Sequence, residues 1–162
     1  MPTQLHRKDQ TRVKAKKILV IEDERVTLLV HAQMIKSAGY RVVTAADAAE
    51  ALQAIRLERP ALILADVALN VEASGHEWDG FQVLEWLKYH YPEHRTEAII
   101  VSAGNPEKIR RRAVAVGAFG FLSKPIVKNL LLAEIKRAIG GPFDLARHGE
   151  TTFFRRHVPL VE

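Results

Sequence analysis

Five polar residues stand where apolar runs stop. Glu22 and Asp23 follow "KILVI", Asp66 closes "ALILAD", Ser102 ends "AIIVS", and Lys124 follows "FGFLS" and precedes Pro125. If these groups meet, three carboxylates share a site with one hydroxyl and one ammonium. Crowded carboxylates repel and raise one another's pKa, which costs stability unless a cation offsets the charge. A hard divalent ion with oxygen ligands is the natural offset, and magnesium suits best because it needs only one or two carboxylates plus waters and phosphate oxygens. An aspartate in such a site can attack a phosphoryl group while an ammonium and a hydroxyl hold the remaining phosphoryl oxygens. In that scheme Asp66 is the phosphoacceptor and Lys124 and Ser102 bind the phosphoryl group. Glu22 and Asp23 join Asp66 around the metal.

That chemistry requires the five residues to converge, and the rest of the sequence supplies the means. Short β-branched or apolar runs at 17–21, 40–45, 61–66, 97–104 and 118–125 read as strands. They alternate with helical patterns at 25–39, 47–60, 79–90, 105–117 and 126–141. In the first helix Val26, Leu29, Val30 and Met34 fall near helical spacing and mark its apolar face, with Gly39 as the C-terminal cap. Asp47, Asp79 and Asn105 are N-cap candidates, and Pro106 suits a first helical turn. Strict alternation of five strands with five helices predicts an α/β fold, a doubly wound five-stranded parallel sheet covered on both faces. Ligands of such sheets bind beyond the carboxyl ends of the strands, where all five polar residues are deposited.

Composition sets the bounds. A chain of 162 residues with 48% hydrophobic and 27% charged residues has the make-up of one ordinary globular domain. The absence of cysteine excludes disulfide scaffolds, thiol catalysis and thiolate metal sites. No apolar run reaches the length of a membrane span and the first residues lack a signal-peptide core, so a cytoplasmic location and no membrane association are expected. The formal charge of +5 resides in the leader, where six cations from Arg7 to Lys17 face only Asp9. Residues 18–162 are neutral, and the leader reads as a solvated tail. The expected organisation is a basic leader over 1–16, a domain over 17–140 and an extension over 141–162.

Taken together, "ILVIEDE", "ALILAD", "IIVSAG" and "GAFGFLSKP" resemble, in order and spacing, the receiver domain of bacterial two-component response regulators over roughly residues 17–140. The resemblance implies a flavodoxin-like sheet of order 2-1-3-4-5 and a stand-alone response regulator. Its Asp66 takes a phosphoryl group from a sensor histidine kinase or histidine phosphotransfer protein with Mg2+. It further implies that the backbone carbonyl of Ala68 is a metal ligand, that Ser102 and Phe121 are switch residues, and that the Lys124–Pro125 bond is cis. The output would be protein binding through the face formed by the fourth helix, fifth strand and fifth helix, with a homodimer left open. The chain departs from the family pattern by having no proline soon after Asp66 and twelve residues, Val67 to Trp78, before Asp79.

Other readings stand beside this one. An aspartate-dependent phosphatase of the haloacid-dehalogenase type would want a second acid two residues after Asp66, where Ala68 stands. A degenerate receiver acting as a phosphorylation-independent interaction module remains the alternative. Direct nucleic-acid binding is not expected, since no helix-turn-helix pattern follows Gly141. His76 with Glu72, Glu77 and Asp79 reads as loop polarity rather than a second metal site, and Arg110–Arg112 as a solvated helix face or a partner surface. Phe153 and Phe154 are left between docking on the body and docking on a partner.

Overall fold

The computed structural model describes residues 14–69 and 78–144. Five strands, β1 (Lys17–Ile21), β2 (Arg41–Ala45), β3 (Leu62–Asp66), β4 (Glu97–Ser102) and β5 (Gly120–Ser123), form one parallel sheet in the order β2-β1-β3-β4-β5. The helices between and after them are α1 (Arg25–Lys36), α2 (Ala48–Glu58), α3 (Gly80–His90), α4 (Pro106–Ala115) and α5 (Lys128–Ile139). Asp47, Asp79 and Asn105 each cap the helix they precede, accepting a backbone N–H three residues on.

Alternation along the inner strands divides the core in two. Ile18, Val20, Leu62, Leu64, Ile99 and Val101 pack on one face against Leu28 and Ile35 of α1 and Leu131 and Ile135 of α5. Leu19, Ile21, Ile63, Ala65 and Ile100 pack on the other against α2, α3 and α4. Strands buried on both faces read as continuous apolar runs, which is why β1, β3 and β4 carry polar residues only at their first or last positions.

Three expectations need correction. The buried face of α1 is Leu28, His31, Ala32 and Ile35, while Val26, Leu29 and Val30 are exposed. The same helix ends at Lys36, and Gly39 occupies the turn beyond it with φ of 93°. Phe121 is half-buried and packs against one core cluster, β5 being an edge strand with no fully buried residue. Lys16 is not a solvated leader residue either. Its N–H donates to Pro142 O at 2.7 Å and its ammonium to Ile139 O at 2.6 Å. The rest of the leader before residue 14, the loop over 70–77 with His76, Glu72 and Glu77, and the extension from residue 145 onward with Phe153 and Phe154 lie outside the described residues.

Candidate functional site

Strand register brings the polar residues to one rim. Ile21, Ala65, Ile100 and Phe121 form a row across the sheet. The next row holds Asp66 paired with Val101, and the row after that Ser102 paired with Ser123. Glu22 is fixed just beyond β1 by its N–H, which donates to Ala45 O at 3.1 Å. Lys124 is fixed just beyond β5 by its N–H, which donates to Ser102 O at 2.9 Å, and the Lys124–Pro125 peptide is cis.

The Lys124 ammonium lies between two buried carboxylates, 2.7 Å from Glu22 Oε2 and 2.5 Å from Asp66 Oδ2. The other oxygen of each acid accepts a backbone N–H: Glu24 N–H reaches Glu22 Oε1 at 3.1 Å, and Ala68 N–H reaches Asp66 Oδ1 at 3.1 Å. Carboxylate oxygens of Glu22, Asp23 and Asp66 all lie within 4.8 Å of one another. Burial pushes the Glu22 carboxyl above its ordinary value, with the Asp66 charge adding to the rise and the bond from Lys124 opposing it. For Lys124, burial works against the charged form, but the bonds to Asp66 and Glu22 outweigh it and hold the ammonium above its ordinary range.

Three hard oxygen donors this close, two of them buried, match the preference of a small divalent cation, so the residues present fit magnesium. Ser102 is buried at the end of β4. Its Oγ accepts Gly104 N–H at 2.9 Å, which leaves its one hydrogen for another acceptor. Phe121 sits one row short of Asp66, with the Arg110 guanidinium 5.7 Å from its ring centroid.

Two residues near this site were not singled out by the sequence reading. His31 is buried on α1; burial lowers its pKa, the Lys124 charge lowers it further and the Asp66 charge opposes both. Arg112 was grouped with its neighbours as a solvated face. Among these three, Arg111 makes a surface pair with Glu107, whereas Arg112 pairs with Asp79 at 2.7 Å and covers the Phe81 ring at 4.3 Å. Trp78, at the end of the long connection, is half-buried against the core cluster that contains Phe81.

Residues 18–136 match the response regulator receiver domain. The chain belongs to that family. The polar-differentiation response regulator DivK of Brucella anthropi is 30% identical over 129 residues, covering 77% of this chain and 97% of DivK. The nitrogen assimilation regulatory protein NtrX of Azorhizobium caulinodans is 30% identical over 122 residues, covering 75% of this chain. The receiver thus spans nearly all of DivK but only 26% of NtrX. A CheY-like receiver domain from Methanospirillum hungatei superposes with a TM-score of 0.68 at 27% identity, over 78% of this chain and 94% of that one. Receivers are phosphoacceptor switches of two-component signalling rather than conventional enzymes, and this one has the family's sheet order. Among the described residues no helix is long and apolar enough to cross a membrane.

Proposed function

We propose that this receiver accepts a phosphoryl group on Asp66 from a histidine kinase or histidine phosphotransfer protein and changes its protein-binding surface in response. The observation that carries the reading is the Lys124 ammonium bound at once to Asp66 and Glu22, with Asp23 in the same cluster. An Asp66 carboxylate oxygen attacks phosphorus, the bond from phosphorus to the donor imidazole nitrogen breaks, and the electron pair stays on that nitrogen. The product is an acyl phosphate and a free imidazole. Lys124 keeps its proton and follows the developing charge from the carboxylate to a phosphoryl oxygen, while the Ser102 hydroxyl donates to another. Glu22, Asp23, Asp66 and the backbone carbonyl of Ala68 would hold a magnesium ion, which when bound neutralises charge on the phosphoryl oxygens.

Loss of the group to water completes the cycle. The switching surface is assigned to α4, β5 and α5, where Ser102 and Phe121 lead from the rim. A groove of about 370 Å³ on this face runs between Arg110, Phe121, Pro125 and Leu130 and suits a protein partner. The working unit is residues 17–140, with 1–16 and 141–162 flanking it.

Incubation with magnesium and acetyl phosphate should add the mass of one phosphoryl group, in an acid-stable, base-labile form. Asp66→Asn should abolish the adduct and leave the fold intact, since the amide is nearly isosteric but not nucleophilic. An undiminished adduct on the Asn variant would move the phosphorylation site elsewhere. No adduct on the unaltered chain would favour the phosphorylation-independent module.

A further inference from the structure

The N-terminus of α3 is wedged between the phosphoacceptor strand and α4. Gly80 lies so close to β3 that a Cβ there would fall 2.3 Å from the Asp66 carbonyl oxygen and 3.3 Å from Ala65 Cβ. Its N–H points to Val67 O at 3.4 Å. The residues on either side of Gly80 are both held by Arg112 of α4: Asp79 Oδ2 at 2.7 Å by charge, and the Phe81 ring at 4.3 Å by stacking. Asp79 Oδ1 meanwhile accepts Gln82 N–H at 2.9 Å, so one carboxylate caps α3 and anchors α4. Phe81 is fully buried, while the Arg112 side chain that covers its ring stays 47% exposed, so the wedge joins a core ring to a surface cation.

We propose that Arg112 is a positioning residue that links α4 to the Asp66 backbone through the α3 N-terminus, a route separate from Ser102 and Phe121. This rests on the reading of Asp66 as phosphoacceptor. Any shift of the Asp66–Val67 backbone on phosphorylation displaces Gly80, which has no side chain to absorb it, and Asp79 and Phe81 carry the displacement to Arg112. The coupling is reciprocal: a clamp that lets Asp66 bias α4 also lets α4 bias Asp66.

The test compares the unaltered chain with Arg112→Gln, Asp79→Asn and the double variant. Asp79→Asn keeps the Oδ1 cap and removes only the charge that Arg112 holds. Hydrogen exchange of residues 106–115 is followed with and without acetyl phosphate and magnesium, alongside the affinity for beryllofluoride, a phosphoryl mimic that needs no transfer chemistry. Both single variants should still form the adduct. Each should lose most of the phosphorylation-dependent change in α4 exchange and alter beryllofluoride affinity by about 5-fold or more, the lower end of allosteric couplings. The double variant should do no more than either single one, because all three break the same link. A merely structural role for Arg112 would lower stability and leave the α4 response and the affinity as they were. That result, with adduct present, overturns the inference alone; absence of adduct on the unaltered chain overturns the phosphoacceptor reading and the inference with it.

Discussion

Glu22 shows how a single residue bears the cost of the site. Its carboxyl is nearly inaccessible, and burial raises its pKa even though Lys124 donates to it at 2.7 Å. A carboxylate whose folded pKa is raised stabilises the fold fully only below its unfolded value of 4.5 and loses that contribution as pH rises through the folded pKa. At neutral pH its ionised form therefore works against folding. Glu22→Gln should raise the melting temperature by a few degrees in magnesium-free buffer at neutral pH, read by differential scanning calorimetry. The same change should shrink the gain that the unaltered receiver obtains from magnesium, about 2.7 kcal/mol at a hundred times the dissociation constant. Equal melting temperatures with and without the substitution would mean that Lys124 fully compensates Glu22. Residue types at strand ends made this cluster legible, because an acid at the end of a fully apolar strand is hard to explain as packing.

At the scale of an element, α1 shows what the sequence conceals. Val26, Leu29 and Val30 fit helical spacing, but so do Leu28, Ala32 and Ile35, and apolar periodicity alone cannot choose between two such stripes. The direction in which the chain leaves β1 decides: Glu24 caps the helix through Val26 N–H and Thr27 N–H, and Leu28 then faces the sheet. Choosing the wrong stripe also hid His31, which shares the buried face. Arg112 escaped notice for a related reason, since its partners Asp79 and Phe81 are distant in sequence and no spacing rule links them. By contrast, the capped helices α2, α3 and α4 were readable because Asp47, Asp79 and Asn105 act within one turn. The buried imidazole has its own consequence. With its pKa below the ordinary 6.5, His31 lets the unfolded chain bind a proton first, so its contribution to stability is complete above that value and is lost as pH falls through the folded pKa. His31→Leu should flatten the loss of stability between about pH 7 and pH 5, measured by urea denaturation; an unchanged pH slope would show that another group carries it.

At the scale of the whole molecule, the sheet separates two ends with different tasks. The carboxyl rim holds Glu22, Asp23, Asp66, Ser102 and Lys124, whereas the opposite edge holds a knot of main chain. There Tyr40 Oη donates to Gly140 O at 2.6 Å, and Lys16 reaches Pro142, Ile139 and Asp144. Deleting residues 1–14 keeps Lys16 and removes no residue of the rim, so adduct formation from acetyl phosphate should be unchanged and the melting temperature should move by no more than a degree or so. A folded deletion variant that no longer takes up phosphate would assign the leader a part in the site. The overall order of elements was legible because each unit repeats the same alternation, and the twelve residues after Asp66 were not, because no periodicity or cap constrains their path. The 2.7 Å bond between Lys16 and Pro142 brings the entry and exit of the folded unit side by side. A body with its two leads emerging together can be spliced into a surface loop of a host protein without stretching that loop, and the graft would hang with its reactive rim turned outward, away from the host.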